Sequence, residues 1–150
     1  MRAVIQRVSE SSVSIEGKVA GKIGNGYMIL LGIEHEDSEE DIEWLVQKIH
    51  KLRVFSDDEG KMNLSIADVR GSFLVISQFT LHASTRKGNR PSYIKAARPV
   101  QAIPLYEKFK SRLREVSGLQ VEAGEFGGDM KVSLINDGPV TIIMDTKLKE

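Results

Sequence analysis

Two short segments of this 150-residue chain hold the residue types best suited to chemistry. Ser77-Gln78-Phe79-Thr80-Leu81 follows the apolar run Phe73-Leu74-Val75-Ile76, so two hydroxyls and an amide stand where a buried strand leaves its sheet. A strand end of that kind exposes backbone N–H groups beside short polar side chains, and such groups can build a site. The same residues also serve as turn or cap residues that satisfy local backbone groups, and the pentapeptide alone does not separate the two readings. Asn136-Asp137-Gly138-Pro139-Val140-Thr141 lies between two apolar strands and by itself reads as a hairpin turn. A Gly-Pro bond adopts the cis form at a penalty of only about 0.5–1 kcal/mol, so sequence physics leaves the isomer of Gly138-Pro139 open.

Familiar catalytic signatures are missing. There is no Gly-rich phosphate loop ending in Lys-Ser or Lys-Thr, no dinucleotide fingerprint, no Gly-x-Ser-x-Gly and no His-Glu-x-x-His. The three histidines, His35, His50 and His82, show no metal-ligand spacing, so no metal and no cofactor are expected. The chain has no cysteine, which removes thiolate nucleophiles and disulfide scaffolds and agrees with a cytoplasmic location. Charge inside the opening apolar stretch Met1-Arg2-Ala3-Val4-Ile5-Gln6-Arg7 is unlike a secretory leader, and no run reaches membrane-spanning length, so neither export nor a membrane span is expected. Twenty-one basic and 21 acidic residues cancel, which argues against nucleic-acid binding through overall charge. Locally the balance breaks: Glu34–Glu43 holds seven acids and no Lys or Arg, while Arg86–Arg98 holds Arg86, Lys87, Arg90, Lys95 and Arg98 with no acid.

The elements that must position these residues are marked by period. Alternation through Val8 and again at Val13 and Ile15, then Val19–Ile23 after Glu16-Gly17-Lys18, predicts strands and a hairpin, and Tyr27–Ile33 is a continuous apolar run fit for a central strand, giving four strands before any helix. Asp37 with Glu40 predicts a capped helix start, and Ile42, Leu45, Val46, Ile49 and Leu52 fall on one helical face. A second helix is expected from about Ala102 to Ser117, with Pro104 in its first turn and Gly118 as its stop. The tail reads as three strands, near 120–123, 131–135 and 140–144. The order predicts a single α+β domain over residues 1–150, of mostly antiparallel β-sheets forming a barrel-like core with two covering helices.

Ser77-Gln78-Phe79-Thr80-Leu81 together with Asn136-x-Gly138-Pro139-Val140-Thr141 resembles, in full and in order, the two signature motifs of the D-aminoacyl-tRNA deacylase family. The likeness extends to Met1–Val8, Lys87-Gly88-Asn89-Arg90-Pro91-Ser92 and Phe126-Gly127, and so over almost the whole chain. It implies a homodimer whose subunits exchange a cis Gly138-Pro139 segment, inserted into the partner's pocket around Ser77–Leu81. Catalysis then falls to Ser77, Gln78, Phe79 and Thr80, with backbone N–H groups at Phe79 and Thr80 meeting the oxyanion. Substrate binding and chiral selection fall to Leu81, Asn136, Gly138, Pro139 and Val140. The partner is aminoacyl-tRNA, whose terminal 2′-hydroxyl assists hydrolysis and whose phosphates meet Arg86, Lys87 and Arg90. Two rival readings are a related deacylase for glycine or small L-amino acids on tRNA, which the intact first motif disfavours, and a non-catalytic RNA-binding dimer, which needs no Gly-Pro wall. A general esterase needs an activated nucleophile that the sequence does not offer.

Overall fold

Strand β1 (Arg2–Ile15) is the strand around which the fold is laid, because both of its edges are paired along most of its length. On one side its first half pairs antiparallel with β3 (Gly26–Gly32) and its second half with β2 (Lys18–Ile23). On the other side it pairs antiparallel, from Arg2 to Ile15, with one long strand near the C-terminus. The computed structural model describes residues 1–150 as one α+β domain.

After β3 comes helix α1 (Glu39–Lys51), then a small hairpin of β4 (Phe55–Ser56) and β5 (Met62–Leu64). Strand β6 (Ser72–Ser77) lies parallel to β3, and β7 (Val121–Ala123), reached through helix α2 (Pro99–Ser117), lies parallel to β6. The large sheet therefore runs β2-β1-β3-β6-β7, with the last strand, β8 (Met130–Asp145), on the free edge of β1. Antiparallel pairings predominate as expected, but the β3-β6-β7 half is parallel, because helices α1 and α2 carry the chain back across the sheet each time. β2 curls over toward β6 and β7, which nearly closes the sheet into a barrel.

Alternation divides the apolar residues between two cores. Phe73 and Val75 of β6 face the helices with Ile5, Tyr27, Ile29, Ile42, Leu45, Phe109 and Leu113, while Leu74 and Ile76 face the barrel interior with Val8, Val13, Ile23 and Met28. All of these side chains are buried, which is why the runs Tyr27–Ile33 and Phe73–Ile76 are apolar at every position rather than at every second one.

Several boundaries differ from those the sequence suggests. Three strands, not four, precede α1, because β1 is unbroken through Val8–Val13, where it changes partner. The two tail strands expected at 131–135 and 140–144 are one, and Asn136–Pro139 is an irregularity within β8 rather than a hairpin. The α1 cap is Ser38, whose N–H donates to Asp41 Oδ2 at 2.9 Å. Asp37, one residue earlier, instead takes the buried Met1 ammonium, which also donates to Thr146 Oγ1 at 2.8 Å. Helix α2 starts three residues early, with Pro99 at its first position and Pro104 inside it. Pro99 suits the start, since the first-turn N–H groups of a helix lack acceptors in any case.

Asp41 sits at the centre of that corner. Burial alone raises its carboxyl, but hydrogen bonds from the Thr146 hydroxyl, the Ser38 N–H and Lys147 outweigh it and bring the pKa down to about 2. The native state therefore binds fewer protons than the unfolded chain as the pH falls from the ordinary Asp value toward 2, and stability drains away across that window. Asp41→Asn is expected to lower stability at neutral pH and to flatten its pH dependence below pH 4. Urea unfolding across that range checks both, and an unchanged acid slope in the variant contradicts the assignment.

Candidate active site

The carboxyl ends of parallel strands β3 and β6 open onto a cleft of about 310 Å³, the position where open parallel sheets expose unpaired backbone and gather ligands. β6 ends at Ser77, and the chain turns at once into a single 3₁₀ turn, Phe79–His82. Gln78 is fixed at the junction by its N–H, which donates to Leu31 O of β3 at 2.8 Å. Phe79 and Thr80 open the turn, and the first N–H groups of a helical turn have no acceptor within it. Ser77, Gln78 and Phe79 line the cleft, opposite Phe126, Gly127 and Gly128 from the loop between β7 and β8. Phe126 is itself held against Tyr106 of α2, their ring centroids 5.7 Å apart.

The polar side chains of the turn are neutral, and the one carboxylate that lines the cleft, Asp129, is held by Lys131 Nζ at 2.8 Å. The Gln78 side-chain amide donates to Thr80 Oγ1 at 2.5 Å, and no carboxylate or imidazole bonds that hydroxyl. Leu81 turns its carbonyl to Arg2, whose Nη1 donates to it at 2.6 Å while its Nε and Nη2 hold Asp145. His82, at the end of the turn, is buried, with Nδ1 3.8 Å from Glu34 Oε2 and Nε2 without a partner. Phe79 is exposed, packed edge to face on Tyr93 at 5.0 Å. No three His, Asp or Glu side chains converge as metal ligands.

A Cβ on Gly32 would lie 3.0 Å from Gln78 O and from Leu81 Cβ and 3.1 Å from His82 Cδ2. Glycine at that position is what lets the 3₁₀ turn sit down on the end of β3.

The second motif is remote from this cleft within one chain. Asn136 pairs with Val8 and Thr141 with Gln6, and the residues between them bulge out of the β1–β8 ladder. Asn136 braces the bulge from within, its Nδ2 donating to Arg7 O at 3.1 Å and to Val140 O at 3.0 Å. Arg7 braces it from below: Nε donates to Asp137 O at 3.0 Å and Nη1 to Val54 O at 2.6 Å. Gly138, at φ 128°, would place a Cβ 2.8 Å from Val140 Cγ2 and 3.0 Å from Arg7 Nη2, in a backbone conformation that strains any residue with a side chain. The Gly138-Pro139 peptide is cis, the isomer that the sequence resemblance implies, and both residues are exposed while Val140 is buried. Asp145 beside the 3₁₀ turn pairs with Arg2, and Gly138 lies against Arg7, five residues further along β1, a span of about 17 Å at strand rise. The structure thus brings Ser77, Gln78 and Phe79 together at one cleft, sets Thr80 and Leu81 just behind, and holds Asn136, Gly138, Pro139 and Val140 elsewhere on the same subunit.

Arg86, Lys87 and Arg90 occupy a loop pinched shut by two 2.8 Å hydrogen bonds between Ser84 and Ser92. All three are exposed and none makes an ion pair. Arg7 is the residue that sequence reasoning missed: in an alternating strand it reads as one more outward charge, and only its partners on the neighbouring strand β8 and just after α1 reveal its part.

A cleft at parallel strand ends, with neutral hydroxyls and amides, free backbone donors and no charge-relay partner, is equipped to hold a polarised carbonyl and a water rather than to make a covalent intermediate. Comparison with known proteins gives that class a family. The family model for D-Tyr-tRNA(Tyr) deacylase matches residues 4–145. A D-aminoacyl-tRNA deacylase of Akkermansia muciniphila is 63% identical over 150 residues, 100% of both chains, and one of Bacteroides thetaiotaomicron is 60% identical over the same span. Among solved structures, one of a c-Myc DNA unwinding element binding protein superposes with a TM-score of 0.91 at 41% identity, covering 97% of this chain and 99% of that one. The structure of a protein described as a probable eukaryotic D-amino acid tRNA deacylase, 16% identical, shares the fold with a TM-score of 0.80 over 95% of this chain and 97% of that one. The chain belongs to the D-Tyr-tRNA(Tyr) deacylase family, and is an ester-bond hydrolase of that kind.

Gly32→Ala is expected to cost about 1–3 kcal/mol through overpacking and, by shifting the 3₁₀ turn, to lower turnover about tenfold or more. Thermal unfolding and ester hydrolysis measured on one preparation check this; full turnover in a destabilised variant counts against the placement of the site.

Proposed function

We propose that this protein, acting as one domain over residues 1–150, removes D-amino acids from the 3′ end of tRNA, together with glycine mischarged on tRNA. It spares L-aminoacyl-tRNA and so proofreads handedness in translation. The observation that carries this reading is the pair of half-sites on one subunit: a cleft at Ser77–Phe79, and an exposed, braced Gly138-Pro139 knob against Arg7, about 17 Å along β1 from the Arg2 end that adjoins the turn. A two-fold homodimer lets each knob enter the other subunit's cleft, which makes both sites composite.

In that dimer the aminoacyl ester lies between the Ser77–Thr80 turn of one subunit and Gly138-Pro139 of the other. The N–H groups of Phe79 and Thr80 meet the oxyanion as a water adds to the ester carbonyl, and the carbonyl–oxygen bond to the ribose then breaks. The tRNA 2′-hydroxyl next to the ester assists, and the protein positions and selects. Thr80, bonded to the Gln78 amide, is a positioning residue rather than a nucleophile. Selection works by exclusion: an L side chain runs into the Gly138-Pro139 wall, whereas a D side chain points away from it. A filter on handedness passes glycine. Leu81, Asn136 and Val140 shape and hold the two halves, and Arg86, Lys87 and Arg90 take phosphates near the tRNA 3′ end.

Matched D-tyrosyl-, L-tyrosyl- and glycyl-tRNA test the reading directly. Release from the D and glycyl esters with the L ester intact is expected; loss of the L ester points to the related deacylase for small L-amino acids, and tRNA affinity without turnover points to an RNA-binding dimer. Thr80→Ala is expected to lose about tenfold in rate, the worth of one neutral hydrogen bond, and to keep measurable turnover. An acyl-enzyme trapped on the wild type overturns the positioning role. Neutralising Lys87 and Arg90 together is expected to lower the salt slope of tRNA binding by about two, one per phosphate contact, as read from affinities across a salt series.

A further inference from the structure

A second concentration of unpaired positive charge lies far from the cleft, at the C-terminal end of α1. Lys48 and Lys51 in the last turn of the helix, Arg53 just after it and Lys149 from the chain's end surround the half-buried ring of Trp44. Lys48 Nζ stands 5.8 Å and Lys149 Nζ 5.1 Å from the centre of that ring. A hollow of about 550 Å³ runs along the patch, floored by Leu52 and Met144.

None of the four cations has a carboxylate within ion-pair distance. Arg53 is hydrogen-bonded to the neutral Asn63 and shares its charge with Asp68, and Glu43, at the rim, is committed to Arg112 by two 2.9 Å hydrogen bonds. Lys48, Lys51 and Lys149, without ion-pair partners, therefore make the surroundings of one aromatic ring locally positive in a chain whose charges sum to zero. Cations beside an aromatic face suit a phosphate backbone with an accessible base.

The location supplies the partner. Val54 follows Arg53 directly, and its carbonyl takes the same Arg7 guanidinium that holds Asp137 beside Gly138. The patch is thus braced to the base of the knob. Resting on the proposed dimer, in which that knob enters the other subunit's cleft, we infer that Trp44, Lys48, Lys51, Arg53 and Lys149 form a second RNA-contact surface. It grips the phosphates of the substrate tRNA from the subunit that donates Gly138-Pro139, while Arg86, Lys87 and Arg90 grip from the subunit that supplies the cleft. Each tRNA is then held by both subunits, and the α1 patch adds affinity without touching the ester.

Trp44 is the only tryptophan of the chain, so its emission reports on this patch alone. Titrating the full-length protein with uncharged tRNA is expected to change Trp44 emission saturably, and more weakly as salt rises. The double variant K48Q/K51Q, both changes at exposed positions, is expected to bind tRNA roughly tenfold less tightly at low salt, with a salt slope shallower by about two. K48R/K51R keeps the wild-type slope. On D-tyrosyl-tRNA the K48Q/K51Q variant raises KM and leaves kcat within about twofold. Trp44 emission indifferent to saturating tRNA, or a salt slope unchanged in K48Q/K51Q, overturns the inference. The binding arms need no catalysis, so a protein that shows both RNA signatures but hydrolyses no ester would sink the proposed function and leave this surface standing.

Discussion

The ladder between β1 and β8 is the interaction on which the rest of the molecule depends, and its importance lies in where it is broken. Both strands exceed a dozen residues and pair from Arg2–Asp145 to Ile15–Met130, and the register slips only around Val8. A bulge in so long a ladder leaves several backbone groups without strand partners, and each must be satisfied by something else. Asn136 and Arg7 do that work. The guanidinium is mostly buried, with 8% of the residue exposed, and it is tolerable there because its donors reach two backbone carbonyls. Its charge is felt by Tyr27 as well, whose phenol burial pushes strongly upward and Arg7 draws partly back. One cation therefore couples β1, the segment after α1 and the protruding knob.

At the N-terminal end of β1 a similar economy operates. Arg2 joins β8 to the 3₁₀ turn through Asp145 and Leu81, so one pairing holds the turn at its end and the Gly138 bulge near its middle. The cleft exists because β3 and β6 are parallel: their carboxyl ends finish side by side with no hairpin to cover them, and Gly32 lets the turn fold over the edge. An antiparallel pair would have put a connection where the cleft now opens. In the proposed dimer, rigidity on both halves matters more than reach, since a wall that is to exclude an L side chain must not yield.

How much of this could be read from the residues follows from the range of each interaction. Helical faces came through well, because Ile42, Leu45, Val46 and Ile49, and Tyr106, Phe109 and Leu113, are buried by local periodicity alone. The α1 start moved by one residue because Asp37 is claimed by the Met1 ammonium, a partner 36 positions away. The hairpin expected at Asn136–Pro139 failed for a comparable reason: turn residues in an Asn-Asp-Gly-Pro string serve a bulge equally well, and only the partner strand decides. The parallel direction of β6 and β7 was invisible because apolar runs carry no polarity. At the candidate site, motif resemblance pointed to Ser77–Thr80 and Gly138-Pro139, but Arg7 and Gly32 act through contacts that no spacing rule encodes.

Charge completes the division of labour. Acids outnumber bases along Glu34–Glu43, yet most are spent internally: Asp37 on the Met1 ammonium, Asp41 on Lys147, Glu43 on Arg112, and Glu34 facing His82. Bases are spent less completely. The loop at Arg86–Arg90 and the end of α1 keep theirs free, while free acids such as Glu36, Glu39 and Glu40 gather at the start of α1, so a neutral chain presents cationic surfaces that are separate from its anionic ones. The arrangement gives attraction for a polyanion that is local in position and sensitive to salt, since its range is about a Debye length of 8 Å at physiological ionic strength. An enzyme that must release each tRNA after one cleavage gains from that limit: contacts of this kind hold a phosphate backbone in place without the tightness that overall positive charge would bring.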